Sequence, residues 1–255
     1  MGANTKIEWT DYTFNPWWGC QMISPACTNC YAAAWAKRWG KDVWGHPDRS
    51  DREPKKGVWK EARKWNRDAS REMRRRKVFA ASMADVFEDH PQLPELRKRF
   101  FELVNETPWL DWQLLTKRPE NIEPMMAGHF DGVPHNVWLG TTAENQEYWN
   151  ERVPVLLSNP AVVHFVSAEP LLGSIQMAKG ETPDWLIVGG ESGPGARPMN
   201  PAWAWSLCDQ ASDLGVSFFF KQWGAHDDMG NRLGKKKTGR ILNERTYDEF
   251  PRVRS

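Results

Sequence analysis

The stretch "DWLIVGGE", residues 184–191, sets four successive apolar residues between an aspartate and a Gly-Gly-Glu exit. A run this short, apolar at every position rather than at alternate ones, reads as a strand buried on both faces. Such strands belong to parallel sheets covered by helices. "KVFAAS" (77–82), "WQLLTK" (112–117), "NVWLGTT" (136–142), "VVHFVSAE" (162–169) and "VSFFFKQW" (216–223) read the same way, each turning polar at its C-terminal end. With "KIEW" (6–9) as the first strand, the count is seven. Helical stretches lie between them. Residues 92–105 put Leu96, Phe100, Leu103 and Val104 on one face, and "AENQEYWNERVPVLL" behaves similarly. "NPAWAWSLCDQASDLG" adds Asn200 as N-cap, Pro201 in its first turn and Gly215 as a stop. Alternating strands and helices predict an α/β fold with mainly parallel strands and right-handed crossovers. Seven strands suit a barrel that falls short of the complete eight-fold ring.

A chain of 255 residues with 40% hydrophobic content can bury a sizeable core. The single alternating pattern predicts one domain over residues 1–255, with a basic, Trp-containing insertion at about 40–76 and a closing segment at about 225–255. The start, "MGANTKIEWT", lacks a basic stretch followed by an apolar run, and no segment approaches the roughly 18 apolar residues of a membrane span. A cytoplasmic protein without membrane contact is expected.

Polar groups converge on the predicted strand ends: Ser82 to Asp85, Thr116-Lys117-Arg118, Thr141-Thr142, Ser167 to Glu169, Gly189-Gly190-Glu191 and Lys221-Gln222. In parallel α/β sheets and barrels that rim is where ligands bind. Any one of these residues is explained by its strand leaving the core; six in succession point to a site.

Three of the four cysteines lie in "NPWWGCQMISPACTNCYAAAWAKRWG", residues 15–40, as Cys20, Cys27 and Cys30. In a reducing cytosol such a cluster binds metal or does chemistry more often than it pairs, and three thiols leave one over in any case. The spacing C-x6-C-x2-C makes a compact three-sulfur cradle. A closed zinc site needs a fourth ligand, and neither Cys208, on a distant predicted helix, nor His46, in a polar loop, stands at the right spacing. Three buried structural thiols are an alternative. A third is a [4Fe–4S] cluster held by three thiolates, with one iron open to a substrate or cofactor. In radical S-adenosylmethionine chemistry that iron chelates the methionine moiety, and the 5′-deoxyadenosyl radical released takes a hydrogen atom from the substrate.

Taken with "VFAASMADVFED", "WQLLTKRPENI", "NVWLGTTAEN", "VSAEPLLGSI", "DWLIVGGESGPGARPM" and "FFFKQWG", the cysteine loop makes the sequence resemble the phage Gp37/Gp68 family, which is similar to radical S-adenosylmethionine enzymes. The resemblance covers about residues 6–224. It implies a partial (β/α) barrel, a [4Fe–4S] cluster on Cys20, Cys27 and Cys30, and S-adenosylmethionine along the strand ends. It departs from the commoner radical pattern, which spaces its cysteines C-x3-C-x2-C with an aromatic residue before the last. Here Asn29 holds that position and the aromatic is Tyr31. "SMAD" stands where that pattern has Gly-Gly-Glu, so Ser82 and Asp85 are assigned to the methionine end, with Thr142 from a neighbouring strand end. "WLIVGGES" resembles the segment lying along the adenine, which assigns Gly189 and Gly190 to close backbone approach and Glu191 to a polar anchor.

The expected function is a radical enzyme that rearranges or functionalises a C–H position. Between Arg49 and Lys77 stand thirteen basic residues against five acids, a local net of +8 within a chain of net charge +1, with Trp44, Trp59 and Trp65 nearby. Phosphate contacts and stacking aromatics are the means of sequence-independent nucleic-acid binding. Together with the phage association, they point to a modified base of phage DNA in the host cytoplasm, flipped or single-stranded to reach a barrel cavity. Lys117, Glu169 and Lys221 are the residues expected to orient the target, and an external donor would supply the electron. Two rival readings are a zinc-stabilised, non-enzymatic nucleic-acid-binding protein and a radical enzyme acting on a free small metabolite.

Overall fold

The computed structural model describes residues 5–253. Its elements, in chain order, are β1 (Tyr12–Phe14), β2 (Trp17–Trp18), α1 (Tyr31–Arg38), β3 (Glu53–Pro54), α2 (Val58–Arg71), β4 (Arg76–Ala80), α3 (Pro94–Glu106) and β5 (Leu110–Thr116). There follow α4 (Ile122–Met126), β6 (Val137–Thr142), α5 (Gln146–Ser158), β7 (Val163–Ala168), β8 (Trp185–Gly189), α6 (Pro201–Leu214), β9 (Ser217–Gln222) and α7 (Lys235–Thr238). Seven strands form one sheet in the order β1-β4-β5-β6-β7-β8-β9, while β2 and β3 pair separately and antiparallel. The pairs β1/β4, β4/β5, β7/β8 and β8/β9 are parallel. The fold is the α/β partial barrel that the alternation predicted, with β1 and β9 as its two edges.

The first strand is a correction. Residues 6–9 are not a strand; the edge strand is β1, which pairs Tyr12, Thr13 and Phe14 with Val78, Phe79 and Ala80. "KIEW" alternates charged residues with apolar ones, but only its Trp9 is buried, with its ring 4.6 Å from that of Phe79. The chain then turns, Thr10 N–H donating to the Ile7 carbonyl, and joins the sheet three residues past Trp9.

The chain divides into two compact units. One contains Ala32–Leu139 with the chain up to Ile23 and Asn159–Val162; the other contains Ser24–Tyr31, Gly140–Ser158 and the chain from Val163 onward. In the first unit, Tyr12 and Phe14 project from one face of β1 because side chains two apart share a face. Tyr12 stacks on Trp65 at 4.4 Å and 5°, and Phe14 meets Trp59 edge-on at 5.4 Å. Phe14, Phe100 and Trp112 close a cluster in which each aromatic is worth about 1.5–3 kcal/mol of burial. Trp59 and Trp65 therefore belong to the core. In the second unit Trp185, Phe219 and Phe250 form a comparable cluster, and the closing segment adds Tyr247 against Phe218. Helix α6 has the predicted ends: the Asn200 side chain accepts from Ala202 N–H at 3.0 Å, and Gly215 caps it at φ 70°. No helix among the described residues is long and apolar enough to cross a membrane.

Candidate active site

In the first unit the residues around Cys20 form an alternating set of buried charges. The Cys20 carbonyl accepts from Gly45 N–H at 3.2 Å, and the next residue, Gln21, donates its N–H to Glu88 Oε1 at 2.8 Å. Glu88 also takes a two-pronged bond from the buried Arg52, Nε to Oε2 at 2.8 Å and Nη2 to Oε1 at 2.9 Å. Arg118 donates to Asp85 Oδ2 at 2.9 Å and to the Gln21 carbonyl at 3.2 Å, and its Nη1 points at Cys20 Sγ from 3.8 Å. Two carboxylates and two guanidiniums thus offset one another, as buried charges must. Burial pushes the Cys20 thiol far above its ordinary range. The carboxylates of Glu88 and Asp85 push the same way, and Arg118 opposes them.

Asp85 is fully engaged. Oδ1 accepts from Phe87 N–H at 3.0 Å and Thr116 Oγ1 at 2.7 Å, and Oδ2 from Lys117 N–H at 3.1 Å and from Arg118. It fixes the end of β5, where Lys117 is half-buried. Ser82, also buried, accepts from Asn15 Nδ2 at 3.0 Å, and Asn15 Oδ1 takes the Met83 N–H at 2.7 Å.

In the second unit the segment carrying Cys27 and Cys30 is held by the loop after β8. Asn29, between the two cysteines, donates to Glu191 Oε2 at 3.0 Å and to the Gly195 carbonyl at 2.9 Å. Arg197 binds Glu191 through its backbone N–H at 2.8 Å and its guanidinium Nε at 2.9 Å, and reaches the Pro25 carbonyl at 3.0 Å. Burial pushes Glu191 up, but the hydrogen bonds from Arg197 and Asn29 outweigh it and hold this carboxyl below the usual range. Ser24 Oγ lies 3.8 Å from Cys27 Sγ. Ala26 N–H meets Glu144 Oε1 at 3.4 Å, and the buried Glu144 pairs with Arg152, which also donates to the Thr142 carbonyl at 2.9 Å. Glu169 and Lys221 form an ion pair at 2.6 Å, joined by Gln222 at 3.0 Å. The glycine pair is explained by packing. A Cβ on Gly190 would lie 1.9 Å from the Trp223 carbonyl oxygen, and one on Gly189 would lie 3.3 Å from the Glu169 carboxyl carbon.

All four cysteines are free; Cys20, Cys27 and Cys30 are half-buried, and Cys208 is buried on α6. Among the described residues, no three or more His, Cys, Asp or Glu side chains are gathered as a ready metal cage. Cys20 lies in the first unit with Asp85 and Glu88, and Cys27 and Cys30 lie in the second with Glu144 and Glu191; all four carboxylates are committed to arginines. By donor type alone, three thiols are the ligands of a sulfur-bound cluster and are one short of a closed four-ligand zinc site.

The family model described as "Protein of unknown function (DUF5131)" matches residues 4–251. The chain belongs to this family. No curated protein matches it. A solved structure of a spore photoproduct lyase mutant with dinucleoside spore photoproduct is similar at 12% identity and a TM-score of 0.46, covering 86% of this chain and 57% of that one. This DUF5131 chain thus spans little more than half the length of that lyase.

Sequence reasoning assigned no role to Asn15, Arg52, Glu88, Arg118, Asn29, Glu144, Arg152 and Arg197, although it placed Arg118 on the polar rim and Asn29 between two of the cysteines. Six of them stand inside the motifs already quoted: Asn15 and Asn29 in the cysteine loop, Glu88 in "VFAASMADVFED", Arg118 in "WQLLTKRPENI", Glu144 in "NVWLGTTAEN" and Arg197 in "DWLIVGGESGPGARPM". A polar or charged residue within a motif already tied to the site was the available signal. Arg52 and Arg152 carried none, since each looks like one more basic residue on a polar stretch.

Proposed function

We propose that this DUF5131 protein is a radical S-adenosylmethionine enzyme that rearranges or functionalises a C–H position on a base of phage DNA in the host cytoplasm. The observation that carries the reading is the set of three free, half-buried thiols in one loop of a parallel α/β fold. The quoted motifs, similar to those of the phage Gp37/Gp68 family, support it. Cys20, Cys27 and Cys30 would hold a [4Fe–4S] cluster. The chemistry such a cluster supplies when bound is one-electron reductive cleavage of S-adenosylmethionine, the electron coming from an external donor.

The chain's own residues have definable parts. Arg118 offers an N–H to the Cys20 sulfur, and hydrogen bonds to ligating sulfurs are a means of setting a cluster's potential. Asp85 and Glu191 act as positioning residues: Asp85 holds Arg118 and the Lys117 backbone, and Glu191 holds Asn29 and Arg197. Ser82 and Thr142 are assigned to the methionine end. Gly189 and Gly190 let the backbone pass close to its neighbours beside the adenine. Lys117, Glu169 and Lys221 orient the target, the last two as a charge-neutral pair.

The test is anaerobic reconstitution with iron and sulfide. About four irons per chain are expected, with 5′-deoxyadenosine formed once reductant and S-adenosylmethionine are added. Cys27→Ala should lose the iron and Cys208→Ala should keep it. A colourless protein that takes up zinc but no iron would overturn the assignment.

A further inference from the structure

Tryptophan is among the more buried residue types, yet two of the sixteen here stand out at the C-terminal end of α1. Trp35 is 41% exposed and Trp39 65%. Trp35 is on α1 and Trp39 directly follows its last residue, with ring centroids 6.3 Å apart and planes at 55°. Between and beside them are Lys37 and Arg38, both exposed, neither with an ion-pair partner among the described residues. No acidic residue occurs from Tyr31 to Lys41.

The more basic segment from Arg49 to Lys77 is less suited to binding. Its Trp59 and Trp65 are core residues, and its Arg52, Arg63, Lys64, Arg75 and Arg76 are paired with Glu88, Glu106, Asp68, Asp111 and Glu72. At the end of α1, by contrast, the aromatic rings and the cations are both uncommitted.

We propose that the C-terminal end of α1 and the residue after it, carrying Trp35, Lys37, Arg38 and Trp39, form a stacking platform for single-stranded nucleic acid. Two flat apolar rings offer faces to successive bases, and two unpaired cations suit the phosphates that run beside them. The same charge disfavours a second copy, which would bring like cations together. The inference names the partner of the proposed radical chemistry and rests on that reading for its biological purpose, but its test reads binding alone.

The experiment is fluorescence anisotropy of a labelled oligothymidylate of about 15 nucleotides, titrated with the full chain over a range of salt. Removing each ring, in Trp35→Ala and Trp39→Ala, should weaken binding at least about fivefold, the low end of what a stacked base contributes. Lys37→Ala with Arg38→Ala should flatten the logarithmic salt slope by about 0.7 for each phosphate no longer neutralised. Both rings are exposed, so circular dichroism should show unchanged folding. The proposal falls if the parent does not bind the oligonucleotide, or if the double tryptophan variant binds it equally well. It also falls if sedimentation shows a parent dimer that the double variant abolishes, since the ridge would then be a self-association face. Iron content and substrate-free 5′-deoxyadenosine formation should match the parent in all of these variants, so failure here is distinct from failure of the cysteine assignment.

Discussion

At Gly190 the backbone does what a side chain does elsewhere. Its N–H donates to the Gln222 carbonyl at 2.9 Å, and the Trp223 carbonyl fills the space where a Cβ would stand. Gly189 faces the flexible carboxylate end of Glu169 instead, at 3.3 Å. The two glycines look alike in the sequence, and their neighbours separate them. Gly190→Ala should destabilise the chain by about 1–3 kcal/mol or more, as overpacking against rigid backbone does, whereas Gly189→Ala should cost well under that because Glu169 can move. Thermal melting of the two variants checks this; equal losses would mean that close backbone packing is not what Gly190 serves. The pair was legible as a close approach, but its partner was not, because nothing local in "GGES" names a carbonyl more than thirty positions away. Asp85 and Glu191 show the same limit. Both stand at strand ends in the sequence, while the arginines that occupy them, Arg118 and Arg197, become visible as their partners only when the loops are folded.

Elements were read most reliably where periodicity and punctuation agreed. Six strands came from apolar runs, and α6 came with both ends because Asn200, Pro201 and Gly215 each do a local job. Asn200→Ala removes the acceptor for the Ala202 N–H and should cost about 1 kcal/mol, measured by urea unfolding with an unchanged m-value. No loss would show that Pro201 alone starts the helix. The edge strand was misplaced for the complementary reason. β1 is three residues long, too short to show a period, and its apolar character rests on Tyr12 and Phe14, whose partners Trp65 and Trp59 come from α2 some fifty residues on. An edge strand defined by tertiary packing leaves little mark on its own sequence. In the basic segment, α2 turns Trp59 and Trp65 inward, a direction that its charge pattern does not reveal.

For the molecule as a whole, the shifted groups set opposite limits on stability with pH. Glu191 is held below its ordinary value, so its contribution is present above the unfolded pKa near about 4.3 and is lost as pH falls through the folded one. Cys20 is shifted the other way. Burial and the Glu88 and Asp85 carboxylates keep its thiol protonated in the folded, metal-free chain, while an unfolded cysteine loses its proton near about pH 8.5. Above that pH the unfolded state binds fewer protons than the folded one, so stability declines as pH rises, by at most about 1.4 kcal/mol per pH unit for this group. Buried Cys208 is shifted in the same direction and adds to the decline. Urea unfolding of the metal-free protein under reducing conditions, from pH 7 to 10, should therefore show a falling midpoint, and Cys20→Ser should flatten that fall. A cluster bound to deprotonated thiols removes the proton that carries the effect. The reconstituted protein should accordingly lose the Cys20 part of the alkaline decline, leaving the part due to Cys208 and, towards pH 10, to the raised tyrosines Tyr148 and Tyr247. An identical alkaline slope in the metal-free parent and in Cys20→Ser would show that Cys20 is not the thiol that Glu88 and Asp85 hold protonated.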